Sequence, residues 1–472
     1  MDRTEFLQRL AALGAGAMIL PNTLNAGSKE YPVVRTAKAQ RKFSSNAIEK
    51  AITDFKSHVA DPELGWLFEN CFPNTLDTTV FLKAKGANPD TYVITGDIDA
   101  MWLRDSTAQI WPYLQFMKDD AALQNLIAGV INRQTRCILK DPYANAFYDD
   151  DTKVGEWKDD VTDMKPGLHE RKWEIDSLCY PIRLAYRYWK VSNDTTPFNA
   201  SWKQAIQATL KTFKEQQRKD GHGPYTFQRK TSWATDGVPL NGYGYPAKPV
   251  GLICSAFRPS DDATVYLYLV PANFFAVVSL RQAAEMILAI TKDAALQKEL
   301  LALADEVSKA LATYAQTEHP QFGKIYAYEV NGYGSYNLMD DANVPSLLSL
   351  PYLNAVDKED KVYQTTRKYL LSEENPFFFR GTAGEGIGGP HAGMDMIWPL
   401  SIIIRGLTST DDAEIKKCIT MLKASHGGTG FMHESFHKND ATNFTRKWFA
   451  WSNTLFGEFL WNTYQTKPHL LK

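Results

Sequence analysis

Apolar residues recur every three or four positions along most of this 472-residue chain, which is the spacing of amphipathic helices. The stretches that carry this pattern are residues 45–59, 107–118, 121–139, 175–190, 201–219, 271–291, 294–317, 361–371, 396–405, 411–425 and 448–463. Pro112 lies inside the second stretch and should kink or restart that helix, because proline has no backbone N–H to donate.

Long polar loops rich in Gly, Asp, His and Trp join these helices, and no Pro/Ser-rich linker divides the chain. Such spacing favours one closed helical barrel over a string of domains. We therefore predict an all-α fold with long loops and short β hairpins, one of them within residues 323–330. The single domain should cover residues 45–472, after an N-terminal extension over residues 27–44.

Charge and composition limit the partners of the chain. The 52 basic and 54 acidic residues leave a formal charge of −2, so the sequence offers neither a nucleic-acid surface nor a polybasic membrane anchor. The 12 Trp and 22 Tyr often stand near Gly and Asp in loops. Acids and aromatic rings together suit a sugar, which has both hydroxyls and apolar faces. The cysteines are scattered without a CxxC pair, which favours buried free thiols.

Five loop-to-helix junctions carry charged residues beside Trp, Gly or His. They are "TGDIDAMWLRDS", "GLHERKWEIDSLCYP", "FRPSDDA", "GPHAGMDMIWP" and "GTGFMHESF". In a barrel of alternating inner and outer helices, every inner helix begins at the same end, so these junctions should converge on one pocket. For the first junction, a helix cap by Asp105 and Ser106 with an Arg104–carboxylate bridge is the alternative explanation.

These five motifs together resemble glycoside hydrolase family 125, the metal-independent exo-α-1,6-mannosidases. The resemblance runs from residue 95 to residue 436 and implies an (α/α)6 barrel with its loops and hairpins at the active-site end. It also implies release of single mannose units from non-reducing α-1,6-linked ends, with inversion of configuration. An Asp of "RPSDD" would be the general acid, and Glu434 of "MHESF" the general base.

Inversion requires two carboxyl groups roughly 6.5 to 9.5 Å apart, which remote loops of a rigid barrel can provide. Asp261 is the preferred acid because it stands beside the Pro259–Ser260 turn, which should project it into the pocket. Asp262 would then bind a sugar hydroxyl or cap a helix beginning at Ala263. The other residues predicted to bind the terminal sugar are Asp99, Trp102, Arg104, Asp105, His169, Arg171 and His391.

Alternative functions follow from the same residues. The stretch "HESFH" at residues 433–437 matches the HExxH zinc pattern, but that pattern belongs on a helix and needs a third ligand. Nearby glycines favour a loop here, so no metal and no cofactor is predicted. A non-catalytic glycan-binding protein and a hydrolase for another α-glycoside, such as a glucosidase, remain alternatives. The expected partner is an α-mannoside oligosaccharide or N-glycan fragment, and the protein is expected to be a monomer without membrane contact in its mature form.

The first 26 residues resemble an export signal more than part of a fold. Arg3 and Arg9 precede an apolar run at residues 10–20, which is too short to span a membrane, and Ala26 could precede a cleavage point. A buried or disordered N-terminal helix is the alternative. We expect a periplasmic or otherwise exported protein whose mature chain begins near Gly27. Mass spectrometry of the purified protein tests this expectation, and a cytoplasmic protein that keeps Met1 would contradict it.

Overall fold

Helices dominate the computed structural model, which describes residues 30–472. In chain order they are α1 (Asn46–His58), α2 (Pro62–Cys71), α3 (Asn74–Thr78), α4 (Leu103–Ile110), α5 (Ala121–Lys140), α6 (Ile175–Ser192), α7 (Ala200–Gln216), α8 (Val270–Met286), α9 (Ala294–Tyr314), α10 (Lys361–Leu370), α11 (Pro399–Thr408), α12 (Asp412–Ser425) and α13 (Ala450–Thr466). The predicted export signal, residues 1–26, lies outside the described residues.

Two sets of helices differ in how they begin. In the first set, α1, α5, α7, α9, α10 and α12, a flanking side chain accepts a hydrogen bond from an amide of the first turn. The capping residues are Ser45, Asp120, Asn199, Asp293, Asp360 and Asp411. Each such cap is worth about 1 kcal/mol, and it lets a helix begin in water without help from the rest of the fold.

The second set, α4, α6, α8, α11 and α13, begins without a side-chain cap. The first amides of these helices bond to other segments instead: Leu103 N to Asn145 O at 3.0 Å, Ile175 N to Ser255 Oγ at 3.1 Å, and Ala450 N to Thr95 O at 3.0 Å. The N-termini of this set therefore draw distant loops together.

Apart from α2, which Asp61 caps and which is also mostly buried, the uncapped helices are the more deeply buried ones. All eight residues of α4 are buried, and so is most of α13. Within this inner set, α8 packs on α6, α6 on α4, α4 on α13, and α13 on α11. The capped helices lie outside, with α9 against α8 and α12 against α11. At Gly406 an added Cβ would lie 2.3 Å from the Phe459 ring, so α11 can approach α13 this closely because the residue is glycine.

Short antiparallel strands occupy the loops. They are β1 (Val80–Ala84), β2 (Asp90–Val93), β3 (Met101–Trp102), β4 (Ala146–Phe147), β5 (Leu168–Glu170), β6 (Tyr268–Leu269), β7 (Gln316–His319), β8 (Gly323–Tyr326), β9 (Glu329–Val330), β10 (Tyr336–Asn337), β11 (Phe378–Arg380), β12 (Glu385–Ile387), β13 (Met396–Ile397), β14 (Ser435–His437) and β15 (Asp440–Thr445). The sheets β3-β4-β5, β10-β9-β6 and β13-β14-β15 each place a two-residue strand just before an inner helix, namely α4, α8 and α11.

Several sequence expectations need correction. The hairpin expected within residues 323–330 is β7 with β8, whereas β9 joins a different sheet. No helix begins at Ala263, because α8 starts at Val270, so Asp262 caps nothing there. Asp105 and Ser106 are not caps, since they lie inside the first turns of α4. The sequence patterns did not predict α2 and α3.

Other expectations are confirmed. The helix containing Pro112 is interrupted, because α4 ends at Ile110 and a 3-10 segment, Trp111–Asp119, follows. The cysteines are all buried and free. One helix, Val270–Thr291, is long and apolar enough to cross a membrane by length and composition alone, among the residues that the structure describes. It packs against α6 and α9, as a core helix does.

Candidate active site

One buried arginine gathers acids from three parts of the chain. Arg104 lies in the first turn of α4 with 3% of its side chain exposed. Its guanidinium nitrogens lie within 4 Å of four carboxylates: Glu174 at 2.5 Å, Asp261 at 3.3 Å, Asp105 at 3.4 Å and Asp176 at 3.4 Å. The inner helices α4 and α6 and the "RPSDD" loop are thereby joined through a single charge.

Asp261 and Asp262 have different surroundings. Asp261 keeps 24% of its side chain exposed, whereas Asp262 keeps 3%. Asp262 accepts a hydrogen bond from Thr235 Oγ1 at 2.7 Å, and its Oδ1 lies 3.7 Å from His391 Nδ1. Asp261 is therefore the member of the pair that can reach a ligand.

The backbone at Asp261 is held in an unusual conformation. Its φ is +67°, a left-handed value that costs a non-glycine residue of order 1 kcal/mol or more. Two hydrogen bonds hold it there: the Asp261 amide donates to Arg258 O at 2.9 Å, and Lys172 Nζ donates to Asp261 O at 2.9 Å. The left-handed backbone conformation and these two hydrogen bonds together orient the Asp261 carboxyl toward Arg104.

Buried contacts also fix the loop that carries Asp261. Arg258 Nε pairs with Glu329 Oε1 at 2.7 Å, and Glu329 Oε2 accepts from the amides of Val265 and Tyr266, both at 3.1 Å. A buried pair of this kind is costly to break, about 3–5 kcal/mol when one partner is lost. The loop is consequently rigid enough to position a catalytic group.

The side chains around Arg104 and Asp261 form one arm of the site. Glu434, directly before β14, stands on a second arm. Thr445 Oγ1 donates to Glu434 Oε2 at 2.9 Å, and Arg446 Nη1 lies 3.5 Å from Glu434 Oε1. Arg446 also contacts Asp97 and donates to Thr95 Oγ1 at 3.2 Å. These contacts orient the Glu434 carboxyl and place a positive charge beside it.

Asp105 links the two arms. Its Oδ2 lies 3.4 Å from Arg104 Nε, and the charge of Arg446 also acts on it. Burial raises the pKa of Asp105 to about 6, although both arginines oppose the rise. Within residues 30–472, Asp105 Oδ2 and Trp102 Nε1 are buried polar atoms without a hydrogen-bond partner. Buried polar atoms of this kind are costly unless a ligand or water satisfies them.

The pKa values of Glu174 and Asp261 are shifted in opposite directions. Burial raises the pKa of Glu174 well above its usual value, against the opposing charge of Arg104. Burial acts in the same direction on Asp261, but Arg104, Lys172 and a hydrogen bond from Glu174 outweigh it and lower the pKa of Asp261 to about 2.

The remaining predicted sugar-binding residues lie at different distances from this network. Trp102 packs edge-on against His169 with ring centroids 5.0 Å apart, and burial lowers the pKa of His169 to about 4, so the imidazole is neutral. Arg171 Nε donates a hydrogen bond to Asp141 Oδ2 at 2.8 Å, so Arg171 belongs to a neighbouring cluster. Asp99 is 77% exposed and faces Lys153. His391 adjoins Asp262, as described above.

Comparison with known proteins assigns the family. The family model for metal-independent α-mannosidases, glycoside hydrolase family 125, matches residues 61–461. The chain belongs to family 125. It is therefore a glycoside hydrolase, as its motifs predict, and the alternative of a non-catalytic glycan-binding protein is set aside.

Individual relatives of this family 125 chain support the assignment. It is 42% identical over 464 residues to the meiotically up-regulated gene 157 protein of Schizosaccharomyces pombe, covering 94% of this chain and 91% of that protein. A Streptococcus pneumoniae metal-independent α-mannosidase, solved in a non-productive complex with α-1,6-mannobiose, is 41% identical with a TM-score of 0.86. That match covers 90% of this chain and all of the other. A bacterial glucoamylase solved with acarbose is 14% identical with a TM-score of 0.52, covers 79% of this chain and 50% of the other, and shows a likeness of fold alone.

Sequence reasoning did not single out several residues of the family 125 site. Glu174 and Lys172 were visible within a charged junction, but nothing in the sequence indicated that they reach Asp261. Asn145 and Arg446 had no signal, since neither stands in a motif. Their roles depend on contacts across 116 positions for Asn145 to Asp261, and 349 positions for Arg446 to Asp97.

The HExxH stretch of this family 125 chain is not helical. Residues 435–437 form β14, and the His433 ring stacks on Phe444 with centroids 3.6 Å apart. His433 Nε2 lies 3.0 Å from Thr429 Oγ1, which gives the histidine a structural role. Among the described residues, no group of three or more His, Cys, Asp or Glu side chains is arranged to hold a metal ion.

Hydrolysis of mannosides by this protein should therefore survive excess chelator, with less than about a two-fold change in rate. We would measure free mannose after prolonged dialysis against EDTA, and compare the wild type with His437→Ala. His437 is the second histidine of the HExxH pattern, so its loss should leave the rate within a few-fold. Activity that disappears with chelator and returns with zinc would overturn this interpretation.

Proposed function

We propose that this protein is an exo-acting α-1,6-mannosidase that releases single mannose units with inversion, using Asp261 as general acid and Glu434 as general base. Its membership of family 125 and its likeness to the α-1,6-mannobiose complex support the substrate class. The observation that carries the proposal is the pair of carboxyls on separate arms. Asp261 lies against Arg104, which also contacts Asp105. Glu434 lies against Arg446, whose charge acts on Asp105.

The surroundings of the two acids fit different tasks. Glu434 is held by Thr445 and lies beside Arg446, so its carboxyl is fixed in position to take a proton from water. Asp261 is partly exposed, so its carboxyl can reach a glycosidic oxygen.

The reaction follows from these positions. Asp261 gives a proton to the leaving oxygen as the bond from that oxygen to the anomeric carbon breaks. Glu434 takes a proton from a water molecule, whose oxygen bonds to the opposite face of the same carbon. This displacement inverts the anomeric centre and needs the two carboxyls roughly 6.5 to 9.5 Å apart. Asp105 and Trp102 each carry a buried polar atom without a hydrogen-bond partner, and in this proposal they bind sugar hydroxyls.

An (α/α)6 barrel is part of the proposal. The inner helices form the series α8, α6, α4, α13 and α11, and residues 346–354 would complete the ring as its sixth inner element. Asp340 supports this assignment, because its carboxylate accepts from the amides of Leu347 and Leu348 as a helix cap does. The Tyr352 hydroxyl donates to Glu458 of α13 at 2.9 Å. An experimental structure with these residues outside the ring would contradict the barrel.

Replacing the two acids should separate their roles. Glu434→Gln keeps size and hydrogen bonding but removes the base, so turnover of α-1,6-mannobiose should fall by about 10² to 10⁴ while KM stays within a few-fold. Asp261→Asn removes the proton donor. In this variant the rate on mannobiose should fall greatly. The rate on 2,4-dinitrophenyl α-mannoside should fall only several-fold, because that leaving group departs without protonation.

Asp262→Asn is the matched control for this experiment, since it changes the adjacent carboxyl, which is buried and bonded to Thr235. This variant should lower the rates of hydrolysis of both substrates to a similar extent. If Asp262→Asn shows the leaving-group dependence and Asp261→Asn does not, the general acid is Asp262.

A further inference from the structure

Glu174 is a buried acid that the mechanism above does not use. It flanks the N-terminus of α6 with none of its side chain exposed, and it pairs with Arg104 Nη1 at 2.5 Å. Ser177 Oγ also donates to it, at 2.8 Å. A purely structural ion pair would require only these contacts, yet Glu174 also faces Asp261.

Two groups bridge the carboxyls of Glu174 and Asp261. Arg104 contacts Glu174 through Nη1 and Asp261 through Nη2. Asn145 Nδ2 lies 3.4 Å from Glu174 Oε1 and 3.3 Å from Asp261 Oδ1. Asn145 is itself fixed, because its Oδ1 accepts from the Lys172 amide at 3.1 Å. These bridges hold the two carboxyls beside each other.

A hydrogen bond between two carboxyl groups requires one proton, because ionised carboxylates can only accept. We propose that Glu174 and Asp261 form one carboxyl pair that retains a single proton, and that Glu174 is the positioning residue that keeps this proton available to Asp261. The inference rests on the proposed function, in which Asp261 is the general acid.

The acids around the pair favour retention of that proton, whereas the neighbouring cations oppose it. Arg104 and Lys172 are the cations facing it, from α4 and from the segment before α6. The facing acids are Asp105 on α4, Asp176 on α6 and Glu170 at the end of β5. His391 and the neutral His169 complete the set. Two ionised carboxylates side by side repel each other strongly among so many acids, and one shared proton removes this repulsion.

The proton transfer balances simply. The proton passes from Glu174 to Asp261, which leaves Glu174 ionised against Arg104. Rotation of the Asp261 carboxyl about its Cβ–Cγ bond turns the protonated oxygen to the pocket, where it protonates the leaving oxygen. Both carboxyls are then ionised, and the pair takes up one proton from solvent to begin the next cycle.

Glu174→Gln tests this inference, because glutamine keeps the shape and the hydrogen bonds but cannot give a proton. With no second carboxylate beside it, Asp261 should lose its proton more readily, so the alkaline limb of kcat/KM should move to lower pH by about one unit or more. At pH 7 the rate on α-1,6-mannobiose should fall by about 10²-fold, whereas the rate on 2,4-dinitrophenyl α-mannoside should fall only a few-fold.

Glu458→Gln is the matched control. Glu458 is a buried glutamate on α13 whose pKa burial raises to about 7, and it bonds Tyr352 away from Asp261. This variant should keep the wild-type pH profile. If Glu174→Gln lowers the rates on both substrates equally and the alkaline limb of kcat/KM does not move, Glu174 is structural and the inference is wrong. A wild type that fails to cleave α-1,6-mannobiose would instead contradict the proposed function.

A second measurement keeps Glu174 in place, so it tests the inference even if the Glu174→Gln variant misfolds. Glu174 and Glu458 are buried glutamates whose pKa lies above its usual value. In Glu458→Gln protein labelled with ¹³C at glutamate carboxyls, one neutral carboxyl signal should persist at pH 7 and shift in Asp261→Asn. Absence of any neutral glutamate carboxyl at pH 7 would overturn the shared proton.

Discussion

The active site depends on the burial of Arg104. Its guanidinium has almost no contact with solvent, so its desolvation must be offset by the four carboxylates around it. Those carboxylates in turn need Arg104, because four acids this close together could not share a buried region without a cation. Loss of either side would leave uncompensated charge, at a cost of about 3–5 kcal/mol for a single broken pair. Positioning of the acids and stability of the inner helices are therefore one requirement.

The two kinds of helix start explain how the fold keeps such a cluster in place. Outer helices such as α5 begin with their own caps and depend little on the rest of the fold. Inner helices such as α4 and α6 take their first hydrogen bonds from other loops, which brings residues 145 and 255 to the same end as Arg104. The polar loops are thus tied to the helix ends at which the acids stand.

The amphipathic pattern predicted most helices, and it describes the outer ones best, because a helix such as α9 exposes one face and buries the other. It missed α2, where Gly65, Trp66, Leu67 and Phe68 are buried in succession and leave no periodicity to detect. The motifs predicted Asp261 and Glu434 as candidate acids, and the preference for Asp261 over Asp262 agrees with its greater exposure, although its role as acid remains a prediction. The pairing of Glu174 with Asp261 could not be predicted, since it depends on side chains from three separated segments and on an arginine shared between them.

The stereochemistry of the product tests the central claim most directly, because separated carboxyls that act as acid and base must invert the anomeric centre. Proton NMR during rapid hydrolysis of α-1,6-mannobiose, recorded before mutarotation, should show β-mannose as the first sugar released. If α-mannose appears first, the reaction passes through a covalent intermediate with carboxyls only about 5 Å apart, and Glu434 would be a nucleophile instead of a base.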